Sequence, residues 1–512
     1  MSIKKLAGQT LWYGVPRMVS RFLNFGVSLL GFRLYLPDES SPYTQIYAII
    51  PFLNILFTYG LETSYFRFAQ TTERQKLYNT LNVSIIGSTI LLTAFLFLFK
   101  APITDFISMQ KHPEFVTWMI WIVFFDTLYT IPLAKLRQEE RPRKYAFINV
   151  FSVLLNLLLI LFFYYVARPA HEADPYTFLG QWFNPEIGIG YFIIANLITS
   201  AVCLLLLWKE FTGFQFRFDK TLWKEVMRYS YPLTIVGLGG MINEMLSRLV
   251  YQKVLDAPLQ QKEFELGVFG ANYKLAVLIT IFIQIFRLAA EPFFFNQSRN
   301  DGAQKMYARV MKFFVIACCF MFLVVALFLD VWKMLIASRH PEYAQGIHIV
   351  PILSMGSVFL GIYYNLSVWY KLTNRNMTGA YITIAGAVIT VALNILLIPR
   401  FHYTGAAWAT FTCYLFMMVI SYVLGQKHYP IPYPKKKLIT YLLICTVFYV
   451  LHEVIARNLP AGASYYKICY YGSSLLFLGL FTWLIAKVER REIQRLPLIG
   501  KYFGGAARPA NG

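Results

Sequence analysis

Apolar runs long enough to cross a bilayer, separated by short polar connections, repeat along the whole chain of 512 residues. A helix needs roughly 20 apolar residues to traverse the hydrocarbon core, where backbone groups must satisfy one another within the segment. That ruler predicts fourteen crossings, at about 10–35, 43–66, 78–99, 115–134, 145–167, 188–208, 229–252, 268–293, 313–332, 346–370, 379–399, 404–425, 438–456 and 468–486. The longest odd-numbered connection, RPAHEADPYTFLGQWFNPEIG, carries no catalytic constellation, and no connection has room for a soluble enzyme domain. The expected fold class is an all-α polytopic membrane protein, and no enzymatic activity is expected.

Basic residues orient the bundle. The N-terminal stretch, the even-numbered connections and the C-terminal tail hold 31 of the 47 Lys and Arg residues; the odd-numbered connections hold 10 and the crossings six. By the positive-inside rule both termini are expected in the cytoplasm. A composition 57% hydrophobic and 14% charged, with mean hydropathy +0.50, lies outside the soluble range. The net charge of +21 implies no nucleic-acid partner, because the basic residues lie between apolar runs rather than on one solvated face. All six cysteines (Cys203, Cys318, Cys319, Cys413, Cys445 and Cys469) fall in apolar runs without metal-ligand spacing, which predicts buried, inert thiols and no metal or cofactor. The opening MSIKKLAGQTLWYGVPRMVSRF lacks a compact apolar stretch followed by a small-residue cleavage site, and reads as a retained first crossing.

Collinear matches reveal an internal repeat. MVSRF at 18–22 returns as MLSRL at 245–249; ETSYFRFAQTTERQKLY from Glu62 returns as EPFFFNQSRNDGAQKMY from Glu291; KHPEF at 111–115 returns as RHPEY at 339–343; and Lys135-Leu136 with Tyr145 returns as Lys371-Leu372 with Tyr381. The offsets drift only from 227 to 236, and each pair holds the same topological place. The duplicated unit has six crossings, giving an N-terminal six-helix bundle over 1–220, a C-terminal one over 221–430, and two further helices with a cytoplasmic tail over 431–512. An even unit inserts twice in one orientation, so the halves form a parallel repeat about an axis along the membrane normal, an arrangement suited to two bundles rocking about a central cleft.

Two six-helix halves plus two extra helices, the opening LAGQTLWYGVPRMVSRFLNF and YGLETSYFRFA at the end of the second crossing resemble the polysaccharide flippases of the MOP superfamily, related to Wzx, MurJ and the MATE exporters. The resemblance spans essentially the whole chain. It implies alternating-access movement of a polyprenyl-pyrophosphate-linked oligosaccharide from the cytoplasmic to the outer leaflet of a bacterial inner membrane, for surface polysaccharide or lipopolysaccharide biosynthesis. Membrane lipids, a polysaccharide polymerase and glycosyltransferases are the implied partners. A lipid II flippase and a cation-coupled drug exporter of the MATE type are the alternatives. In MurJ-like members a Ser-Arg arginine on the first helix lines a cationic cavity, which Ser20-Arg21 matches; Arg287 matches by helix only.

The residues themselves point the same way. An Arg near the bilayer centre costs about 2.5–3.5 kcal/mol, so Arg17 and Arg21, one turn apart without an acid on their helix, need compensation. Guanidinium binds phosphate oxygens bidentately, which Lys does not reproduce. Arg21 and its repeat equivalent Arg248 are therefore candidates to cradle a pyrophosphate, with Arg287 and Arg17 as further cavity cations. The competing reading pairs Glu244 with Arg248 and Arg287 with Glu291 at i,i+4 spacing, and lets Arg17 snorkel. Glu62 and Glu291 are repeat-equivalent candidates for a gate, or else cap Arg67 and Arg287. Asp126, alone in the middle of the fourth crossing, is a candidate for ion coupling together with Glu244. Prolines at 16, 51, 232, 292 and 351 predict kinks.

Overall fold

The computed structural model describes residues 3–494 apart from 140, 298–301, 374 and 461–464. Among these residues every regular element is helical. Fourteen segments of the kind the apolar pattern predicts can be followed. They are α1 (Ile3–Leu34), α2 (Pro37–Phe68), α3 (Arg74–Leu98), α4 (Pro113–Gln138), α5 (Pro142–Ala173), α6 (Gly190–Leu206), α7 (Lys220–Val254) and α8 (Leu259–Gln297). Then come α9 (Ala303–Ala326), α10 (Ile349–Leu372), α11 and α12 (376–401 and 403–428), α13 (Lys435–Asn458) and α14 (Tyr466–Val488). The turn between α11 and α12 is a single residue, His402, at φ 53° and ψ −140° inside an otherwise continuous helical stretch.

Proline sets several helix starts, where its missing N–H breaks no hydrogen bond. Pro37, Pro113 and Pro142 stand in the first turn of α2, α4 and α5. The two halves of the KHPEF/RHPEY repeat behave alike: His112 and His340 each precede a helical turn that opens on proline. Pro351 also sits in a first turn, that of α10, so it produces no kink there. In α2 the break comes elsewhere, at Tyr59 (φ 32°) and Gly60 (φ 76°), where only glycine takes the left-handed conformation without penalty. Five of the cysteines are buried, but Cys469, expected to be buried, is exposed on α14.

Helices α1–α6 pack around one another chiefly through α1 on α5, α4 on α6 and α5 on α6. Helices α7–α12 pack through α7 and α10 against the α11–α12 hairpin and α8 against α10, while α13 and α14 lie on α9. The two groups meet where α2 crosses α7 and α8, and where α1 meets α8.

At the end carrying the odd-numbered connections this seam is closed. Gly267 lies so close to α2 that a Cβ there would sit 1.8 Å from the Pro37 carbonyl oxygen. Lys111 pairs with Glu263 at 2.7 Å, the Tyr343 hydroxyl donates to the Tyr35 carbonyl at 2.9 Å, Gln252 donates to the Ser41 hydroxyl at 3.1 Å, and Lys253 donates to the Asp105 carbonyl at 3.0 Å. Every one of these contacts joins a residue before position 220 to one after it.

At the opposite end the connection from α6 to α7 is bound along α3. Gln75 donates to the Gly213 carbonyl, Asn79 accepts from the Gln215 amide, Lys76 pairs with Asp219 at 2.6 Å, and the Trp223 indole donates to Ser84. The first turns of α7 continue this attachment through Ser64 and Ser230, hydrogen-bonded at 2.5 Å, and through Arg67 over the Tyr229 ring at 4.2 Å. At the same end Lys312 of α9 is buried between Glu489 and Glu492, 2.6 Å from each, and Glu489 also receives Lys437 and the Tyr441 hydroxyl. That network ties α13 and α14 to α9.

Candidate functional site

A cavity of about 430 Å³ lies at the seam between the two groups of helices, below the closed odd-connection end. Its wall is made of polar stripes with helical spacing: Arg21, Asn24 and Ser28 on α1, Asp126 and Tyr129 on α4, Ser152 and Asn156 on α5, and Asn196, Thr199, Ser200 and Cys203 on α6. Residues three and four apart share a face of a helix. Buried among lipid-facing apolar surface, such a face is tolerable only where it lines a cavity or meets polar partners. The second group contributes Glu244 from α7 and Lys274, Thr280 and Gln284 from α8. Tyr43 and Tyr47 of α2 complete the ring. A smaller space lined by Asn54, Thr58, Glu62, Asp126, Tyr129 and Thr130 adjoins it, sharing Asp126 and Tyr129, and carries the polar lining toward the even-connection end.

Among the described residues the charges lining the cavity are two cations, Arg21 and Lys274, and two acids, Asp126 and Glu244. Glu244 stands within electrostatic reach of Arg21, Lys274 and Arg248. Arg21, without an acid on its own helix, thus meets one presented by α7 from across the seam. Arg248 is buried and does not line the cavity: its guanidinium donates to the Glu244 backbone carbonyl at 3.0 Å and lies 4.3 Å over the Tyr273 ring. The i,i+4 spacing of Glu244 and Arg248 therefore produces a bond to the backbone, while the Glu244 carboxylate lines the cavity.

Arg287 continues the α8 stripe of Lys274, Val277, Ile281 and Gln284 but opens onto a separate, narrow apolar space, with its guanidinium 4.7 Å over the Tyr364 ring. Glu62 pairs with Arg137 of its own half at 2.6 Å rather than with Arg67, which faces Tyr229. Asp126 accepts from the Tyr129 hydroxyl at 3.0 Å, and Ser200 of α6 is its other hydrogen-bonding neighbour. The side chains of Arg17 and Glu291 lie outside the described residues.

Lys274 and the neutral part of the wall lie outside the site residues expected from the sequence. Lys274 was visible as an intramembrane cation, and the carboxamides of Asn24, Asn156, Asn196 and Gln284 as polar breaks in apolar runs. Their helical spacing relative to Arg21 and Asp126 was the signal that marked them.

The sequence model of a family described as Polysaccharide biosynthesis protein matches residues 6–298. The chain matches no curated protein sequence. Among solved structures it is similar to the lipid II flippase MurJ in an inward closed conformation, with a TM-score of 0.69 at 12% identity over 94% of this chain and 99% of that one. An inward-facing multidrug resistance MATE family transporter of the MOP superfamily gives 0.60 at 13% identity, over 82% and 94% of the two chains. The MATE multidrug transporter DinF-BH gives 0.60 at 15% identity, over 83% and 96%. At these identities the likeness is one of fold.

Proposed function

The chain belongs to the polysaccharide biosynthesis protein family, and we propose that it is a flippase moving a polyprenyl-pyrophosphate-linked oligosaccharide across the bacterial inner membrane by alternating access. The observation that carries this reading is the seam cavity, in which Arg21 of the first half and Lys274 of the second both border one polar space within the membrane-spanning bundle. The excess of Lys and Arg in the even connections supports cytoplasmic termini. With that orientation the closed end faces outward, and the polar lining leads toward the cytoplasm, where the lipid-linked saccharide is made.

The geometry suggests how an anionic headgroup is accepted. Glu244 keeps Arg21 and Lys274 company across the seam and partly compensates charges held within the membrane-spanning bundle. An entering pyrophosphate offers the same cations a better partner, since guanidinium and phosphate meet through two parallel hydrogen bonds. Glu244 then has no cation in the cavity left to itself and favours rearrangement of the seam. Arg248 and its Tyr273 platform, one turn behind, add a positive charge to the field on that side. The headgroup pulls the two halves together around it while the polyprenyl chain stays in the lipid.

Arg21→Ala is expected to insert and fold yet lose flipping of a lipid-linked saccharide in proteoliposomes, and Arg21→Lys to lose it as well because the bidentate fork is gone. A fully active Arg21→Ala sinks the proposal. Lipid II is the second reading, favoured by the breadth of the fold likeness to MurJ, and running the same assay with lipid II beside a lipid-linked surface saccharide separates the two.

A further inference from the structure

The chain passes from α6 to α7 through a strap, Trp208 to Lys220, whose two sides differ chemically. Its inward side is already matched by the protein. Glu210 is buried and pairs with Arg141 at 2.8 Å and Lys144 at 2.7 Å, Asp219 pairs with Lys76 and accepts from the Leu222 amide at 2.8 Å, and Phe214 packs on the apolar cluster that holds Leu77 and Val226. Both acids of the strap are thus turned toward the protein. The outward side keeps rings and cations: Trp208, Phe216 and Phe218 are 69%, 80% and 47% exposed, and Lys209, Arg217 and Lys220 are exposed and make no ion pair among the described residues. The exposed acids on the flanking helix ends, Glu73 and Glu225, stand in the chain beside Arg74 and Lys76 and beside Lys224 and Arg228.

We infer that this strap docks on the anionic phospholipid headgroups of the leaflet at its own end, its rings entering the boundary between headgroups and acyl chains and its cations meeting the phosphates. Placement comes first. The strap is hydrogen-bonded along the opening turns of α3, which farther on exposes Ile90, Leu91 and Phe95, and it runs into α7, which exposes Tyr231. Apolar surface of that extent on a crossing faces hydrocarbon, so the strap follows the lipid-facing rim at the depth where aromatic belts form. Charge comes second. With its own acids turned inward, the strap offers an anionic surface no repulsion of its own, and each Lys or Arg near such a surface is worth about fivefold, about 1 kcal/mol, so that three amount to roughly 100-fold. An acidic protein surface would also satisfy the cations, but three exposed rings among them favour a partner with apolar depth directly beneath its charge, which a headgroup layer has. The docking holds for any cargo, and it would fix to the bilayer the segment through which one group of helices is joined to the other.

The test places a nitroxide on the full-length protein at Phe216→Cys, with the exposed Cys469 replaced by Ser, in bilayer discs of phosphatidylcholine alone and of an equal mixture with phosphatidylglycerol. Collision with a water-soluble nickel chelate reports how far the label stands in water. The anionic lipid should reduce that collision rate by at least about fivefold, the worth of a single cation, and raising the salt to about 1 M, where the Debye length falls to about 3 Å, should restore it. Lys209→Gln, Arg217→Gln and Lys220→Gln together should erase the difference between the two bilayers; all three side chains are exposed, so the variant loses no buried contact. Trp208→Cys carries the label at a second ring of the strap and should respond in the same way. A label equally exposed, or equally shielded, in the two bilayers overturns the docking, as does a lipid response that survives in the triple variant. A label that stays in water in both bilayers and is shielded only when an acidic protein is added assigns the surface to a protein partner and overturns it as well.

Discussion

Gly267→Ala tests whether closure at the odd-connection end is a state the protein can leave. The added Cβ would lie 1.8 Å from the Pro37 carbonyl oxygen and 2.5 Å from its carbon, against an ordinary contact of at least 3.4 Å. The neighbour is backbone in the first turn of α2, so no side chain can rotate away, and α2 and α8 must separate by about 1.6 Å at that point. Overpacking of this kind costs typically about 1–3 kcal/mol, and an immovable partner puts it at the upper end. Because the strain exists only when the seam is closed, it acts on the conformational equilibrium: about 3 kcal/mol displaces it roughly 100-fold toward the open state. Spin labels on the exposed residues Gln110 and Gln260, flanking the Lys111–Glu263 pair, report the separation by pulsed electron resonance. The wild type should give one short distance and Gly267→Ala a dominant longer one. Gly472→Ala, where a Cβ meets nothing within 4 Å, should leave the distribution unchanged. An unaltered distribution in Gly267→Ala refutes the claim that this contact closes the seam.

A cysteine placed at exposed Ala173 should react with an impermeant thiol reagent on whole cells, and one at Arg141 should not; reversed labelling inverts the proposed direction of transport. Glu489→Ala leaves buried Lys312 with Glu492 as its one remaining acid and should destabilise the α9–α13–α14 packing by less than the about 3–5 kcal/mol of a fully uncompensated buried charge, read as a lower melting temperature in detergent. Burial opposes the charge on Glu489, but Lys312, Lys437 and Tyr441 hold its carboxyl below the ordinary carboxylate range. Its contribution is therefore present above the unfolded value, about 4.3, and lost as pH falls through the lower folded one, so acidification below pH 4 should cost wild type stability that Glu489→Gln no longer has to lose.

The crossings were legible because lipid permits so few backbone solutions, and the two His-Pro-Glu motifs both mark helix starts. The site was legible only in part. Arg21, Glu244 and Asp126 stand out as charges within crossings, but spacing along one helix does not say where a long side chain ends. Arg248 turned onto Tyr273 and the Glu244 backbone, and Arg287 onto Tyr364, because each found a ring within reach. Glu62 met Arg137, seventy-five positions away, a partner that no local pattern announces. The acid that faces Arg21 across the cavity belongs to another helix, and packing between helices is what a single sequence conceals.

The bonded connection between α6 and α7 displaces the joint of the machine. The sequence matches lead one to expect a boundary between repeats near residue 220, yet the chain on both sides of it is fastened to α2 and α3 through Gln75, Lys76, Asn79, Ser84 and Ser230. Farther along the same helix, Gly239 packs against Thr383 and Asn243 donates to the Thr383 carbonyl, so that portion is held by α11. One helix is thus clamped at its two ends to different bodies. For halves that rock, the flexure falls within α7 between Ser230 and Gly239, where Pro232 has already removed one amide donor from the helical ladder. Were the halves to rock, that stretch would act as a torsion bar, and the stiffness of some nine residues would set part of the energy difference between the two ends of the cycle.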